Sequence, residues 1–341
     1  MRGTDLVWLA LWFGCAESTL GDVKLPAELQ GESLLLWLES PEVNAKEGES
    51  VLRWKDLSQR GKDAVANASH KANELQRAEN AQVDGTRISD EQWSLPMAKS
   101  RVEAGLADSA PLLVTCPVLE VPALQFDGDD CLAVALDGPE DPLVPGAGGI
   151  TVFAMMSLAE YSDAQTQLQA WVGLGNPGFF SDSQYMLVAN PGKSGPGFAT
   201  VRVVPVAHDP RRPTVRESVV LDAKLSDSRP TLVTFTVDGK KVEAFMNGED
   251  EFEPQSRHGK PPSSRYQGGI NPLADDPDSF FRIGTGPSCD LLYTGQGAVG
   301  NLYAVMVYKG RLSGKKRKAV ESYLGCRFGV TDLCPESKAE L

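Results

Sequence analysis

The chain has 341 residues, 41% of them hydrophobic and 23% charged, proportions that permit a sizeable core and exclude wholesale disorder. A formal charge of -13 and a pI near 4.8 repel phosphate backbones and anionic lipid, which argues against nucleic acid as a partner. Gly 33 and Pro 23 punctuate short runs rich in Val, Leu and Phe, the rhythm of an all-β chain.

Leu6 to Ala16 is the only long apolar stretch, and it is shorter than the roughly 20 residues a membrane helix requires. Arg2 precedes it, Leu6 to Phe13 supplies the apolar run and Gly14-Cys15-Ala16 the small residues, so 1–16 reads as a signal peptide and 17–33 as a polar leader. The competing reading anchors a lipoprotein at Cys15, a processing site that Trp12 and Phe13 fit badly. Cleavage leaves Cys116, Cys131, Cys289, Cys326 and Cys334. An oxidising compartment then allows up to two disulfides and one free thiol, with the pairing open. No Cys-x-x-Cys occurs and the only histidines are His70, His208 and His258, so a structural zinc is not expected.

Leu34 to Leu38 reads as a first strand, followed by a Pro/Glu/Gly-rich loop and by Val51 to Trp54, which a turn at Asp56 to Ser58 closes. From Lys62 to about Ala110 (62–110) the sequence is polar and without alternation, the pattern of a long surface insertion with a short helix at Glu74 to Ala81. Strand signals resume at Leu112 to Leu119 and at Ala123 to Phe126, where Asp127-Gly128 is expected to turn the chain into Cys131 to Ala135. Further strands are expected at Ile150 to Ser157, Ala170 to Leu174, Tyr185 to Ala189, Ala199 to Val206 and Ser218 to Ala223. The last group is Thr231 to Val237, Val242 to Met246, Phe280 to Ile283 and Asn301 to Tyr308, with a hairpin turn at Asp238-Gly239. One helix runs from about Lys315 to Leu324, capped by Ser313, with Val320, Tyr323 and Leu324 on one face. An antiparallel meander with a helix packed on its surface is the architecture these signals imply.

Several segments together resemble the laminin G-like, concanavalin A-like domains of secreted bacterial proteins. Leu36-Trp37-Leu38-Glu39-Ser40 is similar to the opening "LWLDAS" strand, and Trp54-Lys55-Asp56-Leu57-Ser58 to the "W-x-D-x-S" turn. Ala123 to Gly128 matches "P-x-L-x-F-D-G", and Phe235 to Gly239 with Asn247-Gly248 matches the "DG…VNG" hairpin. Gly300 to Tyr308, Leu312-Ser313 and Val320 to Leu324 resemble the family's closing strand and helix. The matches run from Leu34 to Val330, so the resemblance implies one domain over 34–331 and a tail at 332–341. The fold class it implies is all-β: a concanavalin A-like antiparallel β-sandwich, or jelly roll, with a short C-terminal helix. Ala304 stands where the family usually has an acid, and Gly314-Lys315-Lys316 replaces an acidic helix start. Lysines beside the positive end of a helix dipole are mildly unfavourable, so the first turn is expected to fray.

Asp127, Asp129 and Asp130 cluster at a turn. The resemblance implies calcium at loops of the sandwich rim, and oxygen clusters suit that hard cation. The same Asp127-Gly128 pair also meets a plain turn requirement. Gly173-Leu174-Gly175-Asn176-Pro177-Gly178 spells a dinucleotide-binding pattern, but no helix follows it, so a turn is favoured. In Glu249-Asp250-Glu251-Phe252-Glu253 the alternating positions are all Glu and Asp250 is out of phase, unlike the Glu-x-Asp-x-Glu of laminarinase-type enzymes. No Gly-x-Ser-x-Gly occurs, and the histidines have no evident acidic partner. Lys315-Lys316-Arg317-Lys318 reads as an exposed helix face, and Asn67-Ala68-Ser69 fits a glycosylation pattern. Trp37 and Trp54 are expected in the core, whereas Trp93, Trp171, Tyr161, Tyr185 and Tyr266 are candidates for an exposed sugar-stacking platform.

The function expected from these readings is a noncatalytic recognition module, extracellular or at the periplasm or cell surface, binding carbohydrate or a cell-surface or matrix protein. No catalytic residue is expected, the binding residues are left open, and calcium is the only candidate cofactor. Two alternatives stand beside it: a polysaccharide-cleaving glycoside hydrolase on the same fold, and a structural envelope or surface protein.

Overall fold

The computed structural model describes residues 23–66; 110–158 except 117, 118, 129, 139 and 145–148; the segments 169–175, 183–192, 195–203, 222–224, 229–237, 242–249 and 280–284; and 297–334 except 331. In chain order the strands are β1 (Leu34–Glu39), β2 (Arg53–Trp54), β3 (Ala64–Ala66), β4 (Leu112–Thr115), β5 (Pro122–Asp127), β6 (Leu132–Ala135), β7 (Ile150–Leu158) and β8 (Gln169–Gly175). They continue as β9 (Ser183–Gly192), β10 (Gly195–Val203), β11 (Asp222–Lys224), β12 (Thr231–Val237), β13 (Val242–Met246), β14 (Phe280–Ile283) and β15 (Val299–Lys309), followed by helix α1 (Gly314–Arg327).

The strands form two antiparallel sheets. One has seven strands, in the order β13-β12-β7-β15-β5-β4, with β1 also pairing with β15; the other has eight, in the order β11-β10-β9-β8-β14-β6-β3-β2. β15 organises the first sheet. Gly300 to Lys309 pair with β7 on one side, while β5 and β1 share the other side in series, β5 along Val299 to Leu302 and β1 along Ala304 to Tyr308. The chain is therefore not a simple meander. β5 and β6 lie in different sheets, so Asp127-Gly128 begins a crossing between sheets rather than the expected hairpin. Strands with an apolar face must find an opposing sheet, and crossing at the rim supplies one.

Between the sheets lies the main core, which includes Trp54, Phe126, Trp171, Tyr185, Phe235 and Phe281. Full burial of such a side chain contributes roughly 1.5–3 kcal/mol. A second apolar layer covers the far face of the seven-stranded sheet. There Phe153, Met155, Leu232, Tyr303, Met306 and Tyr308 meet Val320, Tyr323, Leu324 and Phe328 of the helical segment and Leu25 and Leu29 from the expected polar leader. A register shift in β15 between Leu302 and Ala304 places Tyr303 and Ala304 both in this second layer, while Leu302 and Val305 face the main core. Ala304 is fully buried, so an acid at this position would be stranded away from water.

Helix α1 begins at Gly314, and the Ser313 side chain accepts a hydrogen bond from the Lys316 backbone N–H. That cap holds the first turn that was expected to fray. Glu39, at the end of β1, anchors the other end. Its carboxylate accepts hydrogen bonds from Trp37 Nε1 (2.7 Å), Tyr323 Oη (2.5 Å) and Arg327 Nε (3.3 Å). Cys326 and Cys334 form a disulfide that staples the segment after the helix, Cys131 is also oxidised, and Cys116 is a buried free thiol. Among the described residues no helix is long and apolar enough to cross a membrane.

Three further sequence expectations change. β3 falls inside the stretch read as an insertion from Lys62 onward. Trp171 and Tyr185 are fully buried between the sheets, so neither is an exposed platform: register shifts in β8 beside Trp171 allow it and Val172 both to enter the core. Arg317 does not belong to an exposed basic face. It is buried, lies 3.5 Å above the centre of the Phe245 ring and pairs with Glu321 at 2.7 Å.

Candidate functional site

The Trp54 to Ser58 motif builds one wall of a rim site. Trp54 is fully buried at the end of β2, which fixes where the chain leaves the sheet. Asp56, also buried, then gathers four donors: the backbone N–H groups of Trp37 (2.9 Å), Ser58 (2.9 Å) and Lys62 (2.8 Å), and the Ser58 hydroxyl (2.7 Å). A carboxylate offers about four acceptor positions, so Asp56 is fully engaged in shaping its loop. The Leu57 N–H donates to the Trp37 carbonyl at 2.7 Å, and Asp63 accepts from the Asp56 N–H at 2.9 Å while pairing with Arg53. The loop is thereby tied to β1 and presents Arg60 and Lys62 on one side.

The second wall follows β6. Asp141 has no exposed side-chain surface and accepts the backbone N–H groups of Asp137 and Leu143, both at 2.9 Å. Arg60 Nη2 donates to both its oxygens, at 2.9 and 3.1 Å, and Lys62 Nζ reaches it at 3.2 Å. Burial pushes the Asp141 carboxyl upward, but the Asp137 and Leu143 N–H groups and the Arg60 guanidinium outweigh it and hold the group below its ordinary value. Asp141 is therefore ionised at neutral pH. The Tyr185 hydroxyl donates to the Leu143 carbonyl at 3.3 Å, and burial, with the Asp141 charge behind it, keeps that phenol neutral.

Asp137 completes the rim. Its side chain is 73% exposed and touches Lys62 at 2.6 Å and Arg60 at 3.8 Å. Arg60 and Lys62 are each largely buried, with an exposed edge of 17% and 19%, and Arg60 Nη1 has no hydrogen-bond partner among the described residues. The four charges cancel. What faces solvent is an accepting carboxylate beside donors that a buried carboxylate holds in place.

The aspartates read as calcium ligands lie elsewhere. Asp130 precedes β6 whereas Asp137 and Asp141 follow it, so the two acidic features occupy opposite rims. Asp130 is buried and accepts the Asp127 N–H at 2.9 Å, Asp127 is exposed, and Asp129 lies outside the described residues. Among the described residues no three His, Cys, Asp or Glu side chains come together in a way that could hold a metal ion. The crossing is tightly packed: a Cβ on Gly284 would meet the Phe126 ring and the Asp130 carbonyl at 2.9 Å, and one on Gly297 would meet the Gly128 carbonyl.

Gly173 to Gly175 belong to β8, as a strand rather than a phosphate-binding loop. Trp37 is half-buried, with its edge toward Tyr323 and its N–H on Glu39. Glu249 is exposed, and Asp250 to Glu253, the histidines, Trp93, Tyr161, Tyr266, Cys289, Asn67 to Ser69, Glu74 to Ala81 and 1–16 lie outside the described residues.

No known family profile and no curated protein matches the chain. Solved structures do. Trypanosoma rangeli sialidase in complex with sialic acid aligns with a TM-score of 0.44 and 13% identity, over 88% of this chain and 33% of the sialidase, so the chain spans about a third of that protein. Domain 4 of AbnA, a GH43 extracellular arabinanase from Geobacillus stearothermophilus in complex with arabinotriose, aligns with a TM-score of 0.35 and 15% identity, over 61% of this chain and 79% of the domain. A heptameric SAP-like pentraxin from Limulus polyphemus aligns with a TM-score of 0.36 and 10% identity, over 56% of this chain and 76% of the pentraxin. The expectation that the chain is not an enzyme is corrected by these neighbours, which include sialidases and part of an arabinanase. Its physical basis was also too narrow, since charged side chains that act together need not be close in sequence, as Asp141 and Arg60 illustrate for this rim. At these identities and TM-scores the fold rests on the chain's own strand pairing, two antiparallel sheets packed as a β-sandwich with a short C-terminal helix.

Proposed function

We propose that the chain is an exported, laminin G-like β-sandwich that recognises carbohydrate at the rim formed by the 56–63 and 137–144 loops. The observation that carries this reading is the pairing of exposed Asp137 with Lys62 and Arg60, themselves oriented by buried Asp141. Each sugar hydroxyl is both donor and acceptor, so vicinal hydroxyls are complementary to an acceptor and a donor held side by side. The cluster of Arg60, Lys62, Asp137 and Asp141 has no net charge, which favours a neutral polyol over a simple ion. Preorganisation matters because ordering flexible side chains on binding costs roughly 0.5–1.5 kcal/mol each, and Asp141 has already fixed the two cations. The Cys326–Cys334 disulfide supports an oxidising compartment.

The test is a neutral-glycan array followed by calorimetry on the strongest hit. Asp137→Ala removes the exposed acceptor while leaving the Asp141 side chain in place, and is expected to weaken binding at least tenfold with no change in melting temperature. Absence of any glycan hit, or equal affinity in the variant, would contradict the reading. Recognition and hydrolysis both require a bound glycan, and reducing-end release from the same glycans separates them.

A further inference from the structure

Between Lys309 and Lys318 the sequence KGRLSGKKRK carries six cations and no acid, in a chain whose formal charge is -13. The structure sorts these cations into two groups. Arg317 is buried against Phe245 and Glu321, and Arg311 pairs with Glu243 at 2.5 Å. Lys309, Lys315, Lys316 and Lys318 are exposed, and none has an ion pair among the described residues. Elsewhere in the described structure Arg53, Arg60, Lys62 and Arg327 face carboxylates, while Lys24, Lys46 and Lys55 are exposed without an ion pair but stand singly in sequence. Lys315 and Lys318 are three residues apart on α1 and share a face, Lys316 is adjacent, and Lys309 closes β15 just before the helix. The three helix lysines, with Lys309 shortly before them in the chain, are a run of exposed like charge, and the acid next along the helix, Glu321, is buried and paired with Arg317.

We propose that this run is a second binding surface, for a linear acidic polysaccharide bearing uronate or sulfate groups. The partner's chemistry follows from what the run has and lacks. Lysine ammonium groups are compact point charges that suit repeated anions without demanding one geometry. A protein interface depends on buried aromatic and apolar anchors, yet the exposed large hydrophobics of the described structure are Leu52, Val65 and Leu112, none of them in the run. Single-stranded nucleic acid is held by stacking on aromatic rings, and there are none between Lys309 and Lys318. An anionic bilayer is planar and would bring the acidic body of the protein within the roughly 8–10 Å over which charges are felt. A thin, flexible polymer meets the lysines alone.

The experiment titrates the full chain with polygalacturonate at several salt concentrations, beside Lys315→Gln/Lys316→Gln/Lys318→Gln. The wild type is expected to bind with an affinity that falls as salt rises. The triple variant is expected to bind at least tenfold more weakly, with a log–log salt slope smaller by about two, taking roughly 0.7 released counterions per neutralised charge on a single-stranded polyanion. Its melting temperature should be unchanged or raised, since like charges leave the positive end of the helix. Salt-insensitive binding, no binding, or equal affinity in the variant would overturn the proposal. So would equally tight binding of oligouridylate or of phosphatidylserine vesicles. Asp137→Ala should retain polygalacturonate binding, so failure here is distinguishable from failure of the neutral-glycan reading.

Discussion

Asp141→Ala is the substitution whose consequences the structure defines most sharply. It deletes a carboxylate with no exposed surface, leaves the Asp137 and Leu143 N–H groups without their acceptor, and leaves Arg60 with only the exposed Asp137 carboxylate and Lys62 with that carboxylate and the Ala135 carbonyl. Breaking a buried pair by removing one partner costs about 3–5 kcal/mol; because Asp141 itself is wholly shielded, solvent screening removes little of that. At about 2 °C per kcal/mol for a chain of this size, the melting temperature should fall by about 6–10 °C. Denaturant unfolding of variant and wild type as a function of pH is the assay. The folded-state pKa of Asp141 is depressed, so its contribution is fully present above the unfolded carboxylate value of about 3.9 and is lost as pH falls through the lower folded value. The gap between the two proteins should thus persist at pH 5 to 7 and close in strong acid. A loss below about 1 kcal/mol at pH 7, the range of exposed pairs, or a gap constant down to pH 2, would refute the assignment of Asp141 as the rim's organiser.

Replacing Cys326 and Cys334 with serine opens an eight-residue separation and should cost about 2.5 kcal/mol by the loop-entropy relation; thermal unfolding with and without reductant checks it, since the variant should be insensitive to reductant at this staple. Gly284→Ala forces a Cβ toward the Phe126 ring at a φ of +87 and should destabilise by more than 1 kcal/mol, measured by chemical denaturation. Asp130→Ala removes the acceptor of the Asp127 N–H and should cost roughly 1–3 kcal/mol, equally in calcium and in chelator. A calcium-dependent rise in melting temperature that the variant abolishes would instead place an ion at Asp127 and Asp130.

Most strands were legible because alternation and turn chemistry are local. Thr231–Val237, Val242–Met246 and Phe280–Ile283 coincide with the expected segments, and the helix face of Val320, Tyr323 and Leu324 packs as its spacing implied. Partition between sheets was not legible. β7 is buried on both faces, with Val152 toward the main core and Phe153 toward the second layer, so its pattern says nothing of which sheet lies opposite. The Asp127-Gly128 signal is the same for a hairpin and for a crossing, and only the pairing of β5 with β15 and of β6 with β14 separates them. Arg317 looked like one more basic surface residue because its partners, Phe245 and Glu321, belong to a distant strand and the next helical turn.

The rim site was only half visible. Asp56 and Ser58 were read as a turn, and their hydrogen bonds make them one. Asp141 lies about 80 positions beyond Arg60 and Lys62, in a Pro- and Asp-rich stretch that signals only another turn. Local patterns contain no trace of a carboxylate that folding brings to a pair of cations.

Hydrogen–deuterium exchange with and without a saturating neutral glycan tests the central claim most directly. The account predicts slowed exchange at 56–63 and 137–144, with 309–318 and the Asp127 to Asp130 crossing unchanged. Protection confined to either of those other regions, or to none, would contradict it.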